Sequence, residues 1–176
     1  YTRTNLAELA AHCGTAEPAA LTALNLVGVD SSTTPLDLGD ARFLRNLRTL
    51  GLDSLPGKDY AAVLSCPHLQ SLEALALGSC YADTDAAFDA LVSIEPPPNL
   101  HYLDLTGWKP TSEQAATFAA SPLGRQLWGL QMMSSYVQPD AWHAFYQAGL
   151  PLVGSGLFDA GAPQEYTTST TFREEV

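Results

Sequence analysis

A leucine-containing phrase of six residues occurs six times along the chain. The phrases are LTALNL at 21–26, LRTLGL at 47–52, LEALAL at 72–77, LHYLDL at 100–105, LWGLQM at 127–132 and LVGSGL at 152–157. Their first leucines are 26, 25, 28, 27 and 25 residues apart. The fourth and sixth positions alternate with the positions between them, as in a β-strand with one apolar face. One such strand cannot bury that face alone, so the spacing predicts strands stacked side by side in a parallel sheet.

Helices are predicted between the phrases. The candidate segments are 4–12, 58–65, 83–94, 111–120 and 139–148, and Asp40–Arg45 is the best candidate within 27–46. Residues that begin and end helices flank several of them: Asp83 or Thr84, and Thr111 or Ser112, as N-caps, and Pro139 in a first turn. Gly149 is placed to end the last helix. Strands that alternate with helices predict an α/β fold.

Shorter motifs strengthen this pattern. LEALAL is followed by Cys80, then Thr84-Asp85, then a helix and Pro98-Asn99-Leu100, while Cys66-Pro67-His68-Leu69 ends an earlier helical segment. This arrangement resembles the cysteine-containing and ribonuclease-inhibitor-like subtypes of leucine-rich repeat over about residues 4–160. Its Ala-, Gly- and Pro-rich composition is more similar to bacterial repeat proteins than to metazoan ones. The chain departs from the family at the ninth position, which is often Asn or Cys there. That position holds Val29, Leu55, Cys80, Trp108, Ser135 and Ala160, which argues against a continuous asparagine ladder.

The resemblance implies a solenoid with a curved parallel sheet on its concave side and one short helix per repeat on its convex side. We expect about six repeats over residues 1–160 and a C-terminal cap or tail over 161–176. The chain begins at Tyr1 without the basic and apolar segments of a secretory signal, so we also expect it to be a fragment or a processed form. Residues 4–12 resemble the helical half of a repeat whose strand lies upstream or is replaced by a cap.

Charge and composition narrow the classes of function. The formal net charge is −11, and only eight Lys and Arg are present, which argues against binding to DNA or RNA. No apolar run is long enough to span a membrane. Acidity favours solubility and would speed encounter with a basic partner. Three scattered cysteines form no CxxC pair, and an odd, sparse count favours the cytoplasm over the periplasm or cell surface, which stay open.

Catalytic and metal motifs are missing from the sequence. The four histidines have no HExxH-like spacing, and neither a GxSxG elbow nor a P-loop occurs. His101 and Asp104 are three residues apart in one predicted strand, so the pleat turns them to opposite faces. We therefore expect no enzyme activity, no metal site and no cofactor.

The leucine-rich-repeat resemblance implies that the positions between the leucines project from the concave sheet. In the first three repeats those positions are mostly small, whereas the later repeats add aromatic and polar side chains, a composition typical of an interface centre. The candidate partner-binding residues are Tyr102, Asp104, Trp128, Gln131, Met133 and Phe158. Trp128 has an alternative role, which is to fold over the sheet edge and cover the core, while Trp108 and Trp142 are expected in the interior or at the base of a loop.

Two functions follow as expectations. The first is a protein-binding module that uses the concave face of its C-terminal repeats, with an antitoxin-like inhibitor of a basic protein as its sharper form. The second is a structural scaffold, in which these repeats are one segment of a larger multidomain protein.

Overall fold

The computed structural model describes residues 21–26, 41–53, 55, 59–78, 84–132 and 137–153, and the account below concerns these residues. The chain has an α/β fold built on a six-stranded sheet that is parallel throughout. The strands are β1 (Ala23–Leu26), β2 (Thr49–Leu52), β3 (Ala74–Leu77), β4 (Tyr102–Asp104), β5 (Gly129–Gln131) and β6 (Leu152–Val153). Each strand lies in one of the six leucine phrases, and the strands follow one another across the sheet in chain order. The prediction of neighbouring parallel strands is confirmed.

Leucines at the fourth position of each phrase are paired across the first five strands. Leu24 pairs with Leu50, Leu50 with Leu75, Leu75 with Leu103, and Leu103 with Leu130. These partners are 26, 25, 28 and 27 residues apart, so the spacing read from the sequence is also the spacing of the register.

The last strand differs from the predicted register by three residues. Leu130 pairs with Leu152, which the sequence alignment placed at the first position of its phrase and the sheet places at the fourth. The Leu130 amide donates to the Pro151 carbonyl at 2.9 Å, which anchors the shorter, 22-residue connection. The alignment was wrong because GSG at 154–156 has no leucine to mark a register. The same shift removes the reasoning that put Phe158 at the seventh position.

The helices are shorter than the segments predicted for them. They are a single 3-10 turn (Arg42–Leu44), α1 (Tyr60–Leu64), α2 (Thr84–Ser93), α3 (Ser112–Ala120), α4 (Pro122–Gln126) and α5 (Pro139–Gln147). Thr111 caps α3 as predicted: its side chain accepts from the Gln114 amide, and the Gln114 side chain accepts from the Thr111 amide. Gly149 follows α5 with φ of 75°, a backbone conformation that favours glycine.

Helix α4 was not predicted from the sequence. Ser121 ends α3 and caps α4, because its hydroxyl accepts from the Gly124 amide at 3.0 Å. Pro122 takes the first-turn position, where its missing N–H is not needed. Ser121 followed by Pro122 is the signal in the sequence that a new helix begins here.

One face of the sheet and the inward sides of the helices share a single apolar core. Leu75 and Leu77 of β3, Leu103 of β4 and Phe118 of α3 are all fully buried in it. Trp108 is also fully buried: its Nε1 donates to the Leu77 carbonyl at 2.8 Å. Tyr60 and Phe88 lie edge-on to the Trp108 ring at 5.2 and 5.1 Å between ring centroids.

The tryptophan predictions are resolved by burial. Trp108 is 0% and Trp142 8% exposed, which confirms the expected interior positions, whereas Trp128 is 75% exposed and does not cover the core. The ninth-position residues Leu55 and Trp108 are buried, and neither can contribute to an asparagine ladder.

Several predictions concern residues outside the described part of the chain: the helix at 4–12, the cap or tail at 161–176, Cys13, Cys80, Met133 and Phe158. Cys66, the cysteine that is described, is buried and forms no disulfide with another described residue. Among the described residues, no helix is both long and apolar enough to cross a membrane.

Candidate functional site

The sheet face opposite the core carries the side chains at the third and fifth positions of the phrases. We call it the open face, defined by Ala23, Asn25, Thr49, Gly51, Ala74, Ala76, Tyr102, Asp104, Gly129 and Gln131. On β1 to β3 it carries small residues and Asn25, whereas Tyr102, Asp104 and Gln131 are larger, polar and partly buried. The side chains capable of several directed contacts are therefore concentrated on β4 and β5.

Side chains of the open face lean over glycines of the following strand. A Cβ on Gly129 would lie 2.8 Å from Cδ2 of Tyr102, so the tyrosine ring covers the place that a side chain would take. Asn25 covers Gly51 in the same way: a Cβ there would lie 2.6 Å from Oδ1. Glycine at these positions lets a neighbouring side chain lie flat against the sheet. The Tyr102 ring is thus fixed between β4 and β5.

Hydrogen bonds hold the polar groups of this region in place. The Tyr102 hydroxyl donates to Oε1 of Gln131 on the adjacent strand. Asp104 accepts through one oxygen, Oδ1, from the amide and the hydroxyl of Thr106, at 2.8 and 2.5 Å. Burial raises the pKa of the Tyr102 phenol, and the negative charge of Asp104 raises that pKa further. The phenol therefore stays protonated and able to donate.

A second line of residues runs across the sheet just before the strands. We call it the entry row: Thr22, Arg48, Glu73, His101 and Trp128, the second positions of the first five phrases. Its backbone is regular, because the carbonyl of each residue except Trp128 accepts two amides of the next strand. The His101 carbonyl, for example, accepts from the amides of Trp128 and Gly129 at 2.7 and 3.1 Å.

Two pairs of neighbours in the entry row contact each other through their side chains. Arg48 and Glu73 form an exposed ion pair with 3.1 Å between nitrogen and oxygen. The His101 and Trp128 rings are stacked at 3.9 Å between centroids and 5° from parallel. His101 Nδ1 lies 3.4 Å from the Gln126 carbonyl oxygen. The large exposed indole of Trp128 is thus supported on one face by an imidazole.

Gln126 links this stack to the loop before β4. Its side-chain nitrogen donates to the carbonyls of Pro97 and Leu100 at 2.7 and 2.8 Å. Gln126 also lines an open cavity of about 560 Å³, together with Cys66, Glu95 and a run of prolines. Burial raises the pKa of the Cys66 thiol, which disfavours the reactive thiolate.

Four of the six predicted site residues are described. Tyr102 and Asp104 lie on β4, Gln131 lies on the adjacent strand β5, and Trp128 immediately precedes β5. Tyr102 bonds Gln131, Asp104 is two residues beyond Tyr102, and Trp128 precedes the glycine that Tyr102 covers. The predicted site omitted His101 as a partner of Trp128. Because both residues occupy the second position of their phrases, that shared register was the signal available in the sequence.

The arrangement offers an aromatic face, hydrogen-bond donors and acceptors, and a carboxylate. The Asp104 carboxylate contacts Thr106 and not the imidazole of His101. Among the described residues, no group of three or more His, Cys, Asp or Glu side chains is placed to hold a metal ion. Comparison with protein-family models, with curated proteins and with solved structures found no match for this chain.

Proposed function

We propose that this chain is a leucine-rich-repeat solenoid that binds another protein through the open face and entry row of β4 and β5. The observation that carries the proposal is the 75% exposure of Trp128 in a ring position fixed by His101. Large aromatic side chains that are exposed in the free protein are typical of residues that dominate binding energy.

Preorganisation supports this role for Trp128. Binding loses affinity when flexible side chains must be ordered at the interface, at about 0.5–1.5 kcal/mol for each. The stack on His101 already restricts the indole, and the bond to Gln131 already restricts Tyr102. Less entropy would then be lost when a partner contacts them.

The repeat assignment has its own support. The strands are parallel and follow chain order, and most connections return to the same register after 25 to 28 residues. Repeats of 20–29 residues with one strand each are typical of leucine-rich-repeat solenoids. In such proteins stacked units leave one long sheet surface for binding.

A quantitative pull-down from the native source tests the binding proposal. The purified chain, Trp128→Ala and Asp104→Arg serve as baits, and mass spectrometry measures which proteins each retains. Matched controls lie on α5: Tyr146→Ala removes another exposed aromatic ring, 52% exposed, and Asp140→Arg reverses the charge of an exposed aspartate. We expect the main partner to be lost with both site variants and retained with both controls.

The affinity of the purified partner then gives the magnitude. Trp128→Ala should cost about 2 kcal/mol of binding free energy or more, as for an interface hot spot. If every partner is retained by both site variants, the open face is not the binding surface and the proposal is wrong.

A further inference from the structure

The indole of Trp128 has one ring face unused within the molecule. His101 covers one face, and since 75% of the residue is exposed, the other face is open to solvent. In the described part of the chain its Nε1–H has no acceptor. The electron-rich face of an indole attracts a cation placed over it, and a planar guanidinium stacks on it especially well.

The carboxylate of Asp104 also has a free oxygen. Both of its hydrogen bonds, from the amide and hydroxyl of Thr106, use Oδ1, and Oδ2 has no partner among the described residues. Arg48, the arginine of the entry row, is paired with Glu73. Asp104 therefore presents a negative charge with no cation paired to it in the described part of the chain, on a protein whose net charge is −11.

The separation of these two groups can be worked out from the register. Trp128 precedes Gly129, which pairs with Tyr102, and Asp104 lies two residues beyond Tyr102. Trp128 lies just before β5, so the alternation that turns strand residues three apart to opposite faces does not apply to it. Its backbone position is about 10 Å from that of Asp104 along the strand direction and about 5 Å across to the next strand. The Tyr102 ring covers Gly129, the residue that follows Trp128.

We propose that the partner contributes an extended segment with two arginines, one stacked on the open face of Trp128 and the other bound to Oδ2 of Asp104. This inference rests on the proposed function. Alternate residues of an extended segment project to one side about 7 Å apart, and flexible arginine stems cover the remaining distance. Lysine fits less well, because its ammonium cannot stack as a plane on the indole.

A short peptide serves as the probe. Acetylated and amidated GRGRG is titrated against the full chain by calorimetry, alongside the same peptide with citrulline, a neutral isostere, in place of both arginines. Acrylamide quenching gives a second measurement, because Trp128 is the exposed one of the three tryptophans. Bound peptide should shield its fluorescence from acrylamide.

Variants separate the two contacts. Asp104→Asn keeps an Oδ1 acceptor for Thr106 and removes only the charge, so it should weaken GRGRG binding about fivefold, whereas the exposed control Asp140→Asn should change it less than about twofold. Trp128→Ala should weaken binding about tenfold, and Tyr146→Ala should leave it unchanged. The citrulline peptide should bind the unmodified chain more weakly than GRGRG does.

Several results would overturn the inference. They are equal affinity for the arginine and citrulline peptides, equal effects of Asp104→Asn and Asp140→Asn, and absence of binding at millimolar peptide. If the native partner still depends on Trp128 in the pull-down while any of these holds, the proposed function stands and only the arginine inference fails. Loss of the Trp128 dependence itself would remove both.

Discussion

Truncation of Leu75 is the most direct test of the shared core. Its side chain is fully buried and lies between Leu50 and Leu103 in the paired register of β2, β3 and β4. Leu75→Ala removes about three carbon groups, each worth about 0.8 kcal/mol of burial. The cavity left between two neighbouring strands adds to this, so we expect a loss of about 2–5 kcal/mol in the free energy of unfolding.

Urea denaturation followed by circular dichroism measures this loss. The transition midpoint should fall while its slope stays the same, which indicates a change in stability and not in the denatured state. Leu152→Ala is the matched control, because Leu152 has the same register position on the last described strand and is only partly buried. It should cost about 1 kcal/mol. A loss below about 0.5 kcal/mol for Leu75→Ala would refute the stacked-strand reasoning.

Two further predictions concern Tyr102. Gly129→Ala should cost about 1–3 kcal/mol in urea denaturation because the new Cβ displaces the Tyr102 ring, and the same change in a Tyr102→Ala background should cost much less; equal costs would mean that the ring contact is unimportant. The pKa of Tyr102 lies above its ordinary value through burial and the charge of Asp104. Its folded-state preference for the proton therefore stabilises the chain below about pH 10, and this contribution is lost as pH rises through the raised pKa. The difference in phenolate absorbance between the chain and Tyr102→Phe reports the titration of Tyr102. Its pKa should lie above the ordinary value, and Asp104→Asn should lower it. A pKa at the ordinary value would contradict the geometry.

Much of the fold could be predicted from local pattern. Leucines at the fourth and sixth positions define which strand face is apolar, and their recurrence sets the spacing at which strands pair. Thr111 and Gly149 marked helix ends because capping and positive φ depend on a few adjacent residues. The register prediction for the last strand failed for the same reason: with Ser155 where the other phrases have leucine at the fourth position, nothing local distinguished one register from another.

The site was predictable only as a set of exposed positions. The sequence singled out Tyr102, Asp104, Trp128 and Gln131 through their place between leucines, but it did not show which side chains would contact each other. Such contacts join residues about 27 positions apart, as in the stack of His101 on Trp128 and the bond from Tyr102 to Gln131.

The sequence by itself determined an α/β chain with strands repeated at nearly constant intervals, because burial of alternating leucines is a local property of each strand. Tertiary structure alone decided that Leu152 pairs with Leu130, that Tyr102 lies flat over Gly129, and that Trp128 is exposed on an imidazole. These outcomes depend on how closely one strand approaches the next, which hydrophobic periodicity does not encode.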